Sequence, residues 1–365
     1  MTTQTPADTL VSGRPLVRDR RQIEWDLRPL AAHAAPGTVR VATRVSAISP
    51  GTELRLYRGD TMAQNVWRGF ANLNRVTRGR EPAGKTTSSL TNAGGEARYP
   101  VGLGYNNVGS VLEVGEGVEG LAPGDRVFSI ARHEQYVDIE PWEAFRLPSG
   151  VSDDDAVFAY LATLGLHALR RGSWQPGEPL AVIGLGVVGM AAALTAQAFG
   201  APLTAIDVAR PRLDLARRLL PGADVLDPGQ AAVRGPFAGT VIDAAGGVRA
   251  LELGISLAAP RGRVVLLALH PEEAGAVFGG LFYEKELALV ATGNDPYYLP
   301  PGVEGPSIGS NIACILDLIA RGRVSYAGLI TERNDATEAA TAFRNLATQD
   351  DGHIVGSVLY WGRPT

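Results

Sequence analysis

Residues Leu180–Gly189 read LAVIGLGVVG, a short apolar run followed by three glycines spaced as G-x-G-x-x-G. The apolar run predicts a buried strand, and the Ala-rich stretch after it predicts a helix that ends near Gly200. Gly184 permits a sharp turn, Gly186 lets the backbone approach a diphosphate, and Gly189 allows close packing of helix on strand. Since the helix N-terminus then faces the anion, the stretch predicts a dinucleotide-binding turn, with a plain glycine-rich turn as the alternative.

The next apolar strand ends in a carboxylate. Asp207 lies 18 residues after Gly189, close to the ~20 residues typical of the acidic residue that binds the adenosine ribose. A carboxylate there repels a 2′-phosphate, so the sequence predicts NAD as the cofactor. NADP is the alternative, because Arg210 and Arg212 can turn toward a 2′-phosphate, although both also suit solvated cations at a helix start or stacking on adenine.

Short apolar strands and helices continue to alternate beyond this turn, in the order LTAID, RPRLDLARRLL, ADVLD, GTVIDAAGG, a helix over Val248–Leu257, RVVLLAL and LALVATG. Strands alternating with helices predict a parallel sheet with helices on both faces. Upstream, Ser152 and Asp155 form a capping pattern, which predicts one helix continuing through Ala168. Residues 151–294 are therefore predicted to form an α/β domain.

The flanking segments have a different pattern. Thr38–Ile48 alternates apolar and polar residues, which predicts a half-buried strand, and Asn107–Gly115 and Arg126–Ile130 look similar. Residues 1–150 are thus predicted to form a mostly antiparallel β unit. Residues 295–365 contain too few elements for a core of their own, so they are predicted to return to that unit.

The C-terminal segment contains three predicted elements. Ile312, Ile315, Leu316 and Ile319 form one apolar stripe of a first helix, a capping pattern at Asp335 predicts the start of a second, and GSVLYW predicts a final strand.

The amino-acid composition excludes several classes of function. The chain has 365 residues, a net charge of −4 and 45% hydrophobic residues, so it offers a large core but no basic field for nucleic acid or an anionic membrane. Its one cysteine, Cys314, excludes an internal disulfide and a Cys-based structural zinc site. The N-terminal MTTQTPADTL lacks a signal-peptide pattern, so we expect a cytoplasmic protein that acts on a small molecule.

Several segments together resemble the medium-chain dehydrogenase/reductase superfamily, the relatives of zinc alcohol dehydrogenase and quinone oxidoreductase. They are Val45–Glu53, Val101–Val114, Pro123–Val127, Ala159–Gly189, Val241–Gly247 and Gly262–Leu269. The resemblance implies an α/β protein with a GroES-like β-barrel domain, residues 1–150 and 295–365, and a Rossmann domain with a doubly wound parallel sheet, residues 151–294. It also implies a homodimer, paired through the apolar strand LALVATG.

The zinc-dependent members carry metal ligands that this chain lacks. Pro50 stands at the cysteine of their Cys-Gly-x-Asp motif, and Tyr105 and Asn106 stand at the histidine and glutamate of their Gly-His-Glu motif. Ala159, 25 residues before Gly184, stands at the third ligand. None of these is a usual zinc ligand, so we expect no metal.

Without a Lewis acid, carbonyl chemistry needs hydrogen-bond donors for the developing oxyanion. Thr52 matches the hydroxyl that contacts the substrate oxygen in the zinc enzymes. Tyr105 is a candidate acid whose pKa would be lowered by its surroundings, or else a packed aromatic under the cofactor. Asn106 would orient the side chain of Thr52 or of Tyr105. His133, in HEQYVDI, is the alternative proton shuttle.

The resemblance also implies cofactor contacts beyond the glycine turn. Thr163 would lie beside the nicotinamide carboxamide, with a hydroxyl bonded to its own helix as the alternative. Leu267 and Leu269, at the end of the fifth Rossmann strand, would present backbone groups to the same amide. The predicted cofactor-binding set is Thr163, Gly184, Gly186, Val188, Gly189, Asp207, Arg212, Leu267 and Leu269.

The other histidines and one insertion complete the candidates. His167 is expected to be packed in a helix, while His33, His270 and His353 lack motif support, although His270 follows the nicotinamide strand. Thr61–Pro100 carries six basic and two acidic residues, which suits either a lid over an anionic or bulky substrate or a solvated loop.

Three functions fit these residues and motifs. The first is a zinc-independent NAD(P)-dependent oxidoreductase for a secondary alcohol or ketone of a polyol, sugar-derived or specialised-metabolite substrate. The second is reduction of the polarised C=C bond of an enone or quinone. The third is a cofactor-binding protein without turnover.

Overall fold

The computed structural model describes residues 10–60, 99–270, 278–293 and 305–362. Its strands are β1 (Val11–Asp19), β2 (Gln22–Pro29), β3 (Val39–Ala47), β4 (Val101–Gly102), β5 (Asn107–Val114), β6 (Arg126–Ser129), β7 (Tyr136–Ile139), β8 (Ala144–Arg146), β9 (Leu180–Ile183), β10 (Leu203–Ile206), β11 (Asp224–Leu226), β12 (Ala238–Asp243), β13 (Ala258–Leu266), β14 (Ala288–Ala291), β15 (Ile330–Asp335) and β16 (Gly356–Tyr360). Its α-helices are α1 (Pro50–Arg58), α2 (Asp153–Ala156), α3 (Ala159–Arg171), α4 (Val187–Ala198), α5 (Arg210–Leu219), α6 (Pro228–Val233), α7 (Val248–Leu257), α8 (Leu281–Glu284), α9 (Ile308–Ala320) and α10 (Ala339–Thr348). Within these ranges, no helix combines the length and apolar character needed to cross a bilayer.

The predicted parallel sheet is confirmed. Six strands pair in the order β11-β10-β9-β12-β13-β14, and every pairing is parallel. All four residues of β9 are buried, as expected of a strand covered by helices on both faces. The strand order reverses between β9 and β12, which creates the crevice where α/β proteins bind ligands.

A second sheet of seven strands is antiparallel except for the parallel pair β15–β16. Strand β3 runs through it, but the prediction that β3 is half-buried is wrong, since only Arg44 of its nine residues is exposed. The sheet accommodates the buried Arg40 because Asp138 accepts from its guanidinium at 2.7 and 2.9 Å. A polar residue in an alternating pattern can therefore be internal when a partner strand supplies its counter-charge.

The hairpin β1–β2, which the sequence pattern did not predict, forms a three-stranded sheet with β4. Both strands carry many charges, and these pair across the hairpin, with Arg14 donating to Asp26 at 2.9 Å and Arg18 to Glu24 at 3.0 Å. Such cross-strand pairs stabilise a strand without an apolar alternation.

The C-terminal segment returns to the N-terminal β unit in part, because β16 pairs antiparallel with β3 and places Val358 opposite Ala47, whereas α9 packs against α3 of the α/β segment. The helix cap predicted at Asp335 is confirmed, although the first turn after it is 3₁₀ rather than α-helical. Asp335 ends β15, and its carboxylate accepts from Thr337 N at 2.9 Å to cap a 3₁₀ turn over Ala336–Glu338, so α10 begins only at Ala339.

The helix predicted from Ser152 is two helices. Ser152 Oγ accepts from Asp155 N as the capping pattern predicts, but α2 ends at Ala156 and α3 begins at Ala159. Val157 and Phe158, between the two helices, are fully buried. The carboxylate of Asp155 is meanwhile occupied by backbone N–H groups of a distant 3₁₀ turn.

Candidate functional site

The glycine turn after β9 has the geometry that its sequence predicts. Gly184 has a φ of +89°, and a Cβ there would approach Ala245 N to 2.7 Å. A Cβ at Gly189 would overlap the carbonyl oxygen of Gly184, whereas Gly186 faces open space. Because Gly186 lies directly before α4, the opening stands at a helix N-terminus, and the turn fits the diphosphate of a dinucleotide.

Asp207 lies beside this turn. Its Oδ2 accepts from Leu185 N at 2.6 Å and its Oδ1 from Ala209 N at 2.8 Å. Arg212 Nη1 is 3.5 Å from the carboxylate, while its Nε donates to Gly352 O at 3.3 Å. Arg210 instead points into solvent and pairs with Asp214. The carboxylate is therefore bonded to the backbone of the glycine turn and has one cation next to it.

The predicted nicotinamide contacts are spread over two elements. Strand β13 ends at Leu266, so Leu267 and Leu269 lie in the following loop and not at the end of the strand. Leu267 N donates to the carbonyl of Asp243 at 2.9 Å, and Leu269 is 45% exposed. Thr163 is buried, and its hydroxyl donates to Tyr160 O at 2.6 Å, which is the alternative that its helical setting allowed. Val188 lies in the first turn of α4.

Tyr105 and Thr52 are hydrogen-bonded to each other, but the surroundings of the Tyr105 phenol shift its pKa in the direction opposite to the prediction. Burial first, and then the charge of Glu53, raises the pKa of the Tyr105 phenol above its ordinary value, while hydrogen bonds with Ser49 and Thr52 oppose the shift. The prediction of a lowered pKa is therefore wrong, because an apolar, anionic environment disfavours the phenolate. The ring packs edge-on against Tyr160 with centroids 5.2 Å apart, and the raised pKa keeps the phenol neutral.

Asn106, beside Tyr105, is fully buried. Neither its Oδ1 nor its Nδ2 has a hydrogen-bond partner among the described residues. An unpaired buried amide costs about 1–3 kcal/mol, and such groups call for an explanation by an unseen polar partner. Asn106 is therefore a buried amide with unused hydrogen-bonding capacity beside Tyr105.

His133 belongs to a wholly buried hydrogen-bonded pair that no sequence motif predicted. Its Nε2 is 2.9 Å from Glu53 Oε2, with neither side chain exposed, and its Nδ1 is 2.8 Å from Ser46 Oγ. Glu53 Oε1 in turn accepts from Ser49 N at 2.8 Å. The one available signal was that Glu53 stands at the aspartate of the Cys-Gly-x-Asp motif with one extra methylene, which lengthens its reach.

The residues that the resemblance places at zinc-ligand positions are not usual zinc ligands. Pro50 is the first residue of α1, and the fully buried Ala159 is the first residue of α3. Tyr105 and Asn106 offer a neutral phenol and an amide. Over the described ranges, no group of three or more His, Cys, Asp and Glu side chains is placed to hold a metal ion.

A second unpredicted pair lies at the end of β12. His270 Nε2 is 2.8 Å from Asp243 Oδ2, so a histidine without motif support lies at the carboxyl end of β12. The available signal was Asp243 itself, which ends an apolar strand just as Asp207 does.

The remaining histidines lie elsewhere. His33 and His353 are exposed and pair with Glu113 and Asp351, and His167 is buried in α3. Nearly all of the basic insertion, residues 61–98, lies outside the described residues, so the lid and the surface loop both stay hypotheses.

No family model matches the chain. It is 25% identical over 294 residues to a probable D-xylulose reductase A of Aspergillus clavatus, covering 68% of this chain and 77% of that protein. It is also 25% identical over 291 residues to galactitol 1-phosphate 5-dehydrogenase of Escherichia coli K12, covering 68% and 82%.

Solved structures share the fold over nearly the whole chain. An alcohol dehydrogenase of Escherichia coli CFT073, complexed with NADH, has a TM-score of 0.73 at 20% identity and covers 96% of this chain and 99% of its own. A dehydrogenase of Sinorhizobium meliloti 1021 described as zinc-binding, bound to NADP, has a TM-score of 0.71 at 18% identity with coverage of 96% and 99%. Together the matches support the medium-chain dehydrogenase/reductase superfamily, with polyol and alcohol dehydrogenases as homologues.

Proposed function

We propose that the chain is an NAD(P)-dependent oxidoreductase that transfers a hydride between nicotinamide and a secondary alcohol or ketone without a catalytic zinc. The observation that carries the proposal is the presence of two complementary groups of residues, one on each sheet. An open glycine turn with a carboxylate beside it lies on the six-stranded sheet, and a buried cluster of hydroxyl and amide groups without metal ligands lies on the other. The names of the sugar and polyol relatives favour a polyol or sugar-derived substrate.

The polar cluster suits a substrate oxygen. A bound nicotinamide would supply or accept the hydride. Thr52 and Tyr105 would donate hydrogen bonds to the oxygen on which negative charge develops, which is the task that a metal performs in zinc enzymes. Asn106 would pair with a second polar group of the substrate and fix its orientation, because both atoms of its amide lack partners among the described residues.

The cofactor preference follows from the charge at the adenosine end. Asp207 favours NAD, since its carboxylate can accept from a ribose diol and repels a 2′-phosphate. NADP is the alternative through Arg212, which lies 3.5 Å from that carboxylate and can screen it. The structural neighbours include one bound to NADH and one bound to NADP.

A specific observation favours the second candidate, reduction of an enone or quinone C=C bond. The raised pKa of Tyr105 keeps the phenol protonated, and a neutral donor polarises an enone carbonyl without having to deliver its proton. The third candidate is a protein that binds the cofactor and catalyses no reaction.

The test is a fluorescence titration with NADH and NADPH, followed by assays with polyols, ketones, enones and quinones at 340 nm. Ketone or polyol turnover by protein free of metal supports the main proposal. Turnover of only enones or quinones favours the second candidate, and binding without any turnover favours the third. About one tightly held zinc per chain, measured by elemental analysis, would contradict the zinc-free site.

The organisation of the molecule is part of the same proposal. Residues 1–150 with 295–365 would form the substrate domain and residues 151–294 the cofactor domain, and the protein would be cytoplasmic. Strand β14 is an edge of the six-stranded sheet, so its pairing with a second copy would give a homodimer. Sedimentation of the purified chain tests the dimer.

A further inference from the structure

Asp243 connects two loops at the carboxyl end of the six-stranded sheet. Its backbone carbonyl accepts from Leu267 N at 2.9 Å and from Ala268 N at 3.0 Å, in the loop after β13. Its Oδ1 accepts from Ala245 N at 3.0 Å and from Gly246 N at 3.2 Å, in the turn after β12. One buried residue thus holds the backbone of both segments.

His270 contacts both Asp243 and the loop after β13, and these two contacts determine the protonation state of its ring. Its Nε2 is 2.8 Å from Asp243 Oδ2, and its Nδ1 is 2.9 Å from the carbonyl oxygen of Ala268. A carbonyl and an ionised carboxylate can only accept, so both ring nitrogens must carry a proton for both bonds to form. The geometry therefore selects the imidazolium, whose side chain is only 7% exposed.

The electrostatic environment agrees with this geometry. The hydrogen bond to Asp243 raises the pKa of His270, burial opposes the shift, and the charge of Asp243 and the Ala268 carbonyl reinforce it. Asp243 is the charged side chain that faces the ring from β12. The next acidic residues along the chain, Glu272 and Glu273, lie outside the described residues.

The two loops that His270 and Asp243 join form one wall of the cofactor crevice. A Cβ at Gly246, whose φ is +71°, would come within 2.6 Å of Leu269 O, and a Cβ at Gly184 would come within 2.7 Å of Ala245 N. The glycine turn, the 244–247 turn and the 267–270 loop are therefore in direct contact. Since Asp207 marks the adenosine end on the β10 side, the nicotinamide half extends over β12 and β13.

We propose that His270 is a positioning residue for the nicotinamide half of the cofactor, acting through Asp243 to hold the 244–247 and 267–270 segments in one arrangement while its imidazole is protonated. This inference rests on the proposed function. We call the two hydrogen bonds of His270, to Asp243 and to the Ala268 carbonyl, the clasp. Because the pKa of His270 is raised in the folded protein, the clasp is fully formed at low pH and is lost as the pH rises through that pKa. Cofactor affinity is accordingly highest on the acidic side and falls on the basic side.

The experiment compares the wild type with His270→Gln and His353→Gln. Glutamine can still donate to Asp243 but carries no charge. His353 forms a histidine–aspartate pair on the exposed surface, so its variant is the matched control. The Kd for NADH is measured by fluorescence between pH 6.5 and 9, and the pKa of the His270 imidazole is measured by NMR in the free and the NADH-bound protein.

We expect the wild-type Kd to rise about tenfold across the His270 titration, as one unit of linked pKa shift requires. By reciprocity, NADH should raise the pKa of His270 by the same factor. His270→Gln should bind NADH about tenfold more weakly at pH 6.5 with a flat profile, while His353→Gln should follow the wild type. Thermal melting of all three proteins accompanies the titrations.

An unchanged pH profile in His270→Gln would overturn the proposal, as would a lower melting temperature with unchanged Kd, which indicates a merely structural role. A free-protein pKa of His270 at or below its ordinary value near 6.5 would refute the clasp itself. If the wild type binds neither NADH nor NADPH while that pKa is raised, the clasp exists but the proposed function fails, and the positioning role fails with it.

Discussion

Glu53 and His133 are joined at 2.9 Å between Oε2 and Nε2, and neither side chain has any solvent exposure. The pair continues in both directions, because Ser49 N donates to the second oxygen of Glu53 and Ser46 Oγ meets the other ring nitrogen of His133. Trp361 Nε1 donates to the same Ser46 hydroxyl at 3.0 Å. The start of α1, the end of β3 and the residue that follows β16 thus meet in one polar network next to Tyr105.

Replacing Glu53 with Ala should lower the free energy of unfolding by roughly 3 kcal/mol, because it leaves the buried His133 Nε2 and Ser49 N–H without partners. Urea unfolding measures the loss. The control is His33→Ala, which removes a histidine from an exposed pair and should leave the unfolding curve unchanged. Equal curves for Glu53→Ala and the wild type would show that the buried pair contributes nothing.

Replacing Tyr105 with Phe should lower kcat/KM about a hundredfold, the effect typical of removing one hydrogen-bond donor to a developing oxyanion. The ring contact with Tyr160 is kept, so the melting temperature should change little. Because the pKa of Tyr105 is raised, the wild-type rate should show no loss from phenol ionisation up to about pH 10, the ordinary pKa of a phenol. Steady-state kinetics across pH gives both readouts.

The control for this variant is Tyr326→Phe. The Tyr326 hydroxyl is also buried, with a pKa raised by burial, but it contacts Thr195 Oγ1 at 2.8 Å inside the helical layer. That variant should cost about 1 kcal/mol of stability and leave turnover intact. Unchanged turnover in Tyr105→Phe would remove the phenol from the mechanism.

How much of the fold can be predicted from the sequence depends on how far apart in the chain the interacting residues lie. The β9–α4 unit was predictable because a four-residue apolar run and the glycine spacing act locally. The β1–β2 hairpin was not, since its charged residues find partners only once the strands pair. Likewise, no local pattern predicted the break between α2 and α3, beside which Asp155 accepts from backbone N–H groups of residues 326 and 327.

The same distinction applies to the site. Thr52, Tyr105 and Asn106 could be picked out because they replace expected residues at motif positions. The pairs Glu53–His133 and Asp243–His270 join residues 80 and 27 positions apart, and no periodicity or spacing rule links such partners. The sign of the Tyr105 pKa shift was missed for a related reason, because it is set by burial and by a carboxylate 52 residues away in the chain.

Replacing Asp207 with Ser should raise the KM for NADH about tenfold and affect NADPH less, because it removes a ribose acceptor together with the charge that repels a 2′-phosphate. Arg212 would then be freed from its contact with the carboxylate and could bind that phosphate. The ratio of kcat/KM for NADH and NADPH is the measurement. Asp214→Ser, at an exposed aspartate of the next helix, is the control, and a ratio that does not move would refute the role of Asp207.

Lys285 stabilises the end of α7 from a distant segment. Its ammonium donates to the carbonyls of Ile255, Ser256 and Ala258 at 2.8–3.0 Å, which uses all three of its protons on groups that a helix C-terminus leaves unpaired. Burial lowers the pKa of Lys285, so these bonds form at a desolvation cost that the three carbonyls must offset.

Replacing Lys285 with Met keeps most of the side-chain volume and removes the three donors, so the free energy of unfolding should fall by about 2 kcal/mol. The matched control is Arg261→Met, which breaks an exposed pair with the neighbouring Glu286 and should cost no more than about 0.5 kcal/mol. Because α7 packs against β12, hydrogen exchange should also quicken in α7 of the Lys285→Met protein while α9 stays protected. Uniform loss of protection would mean that the lysine supports the whole fold, and no loss would mean that the helix end is held by its packing alone.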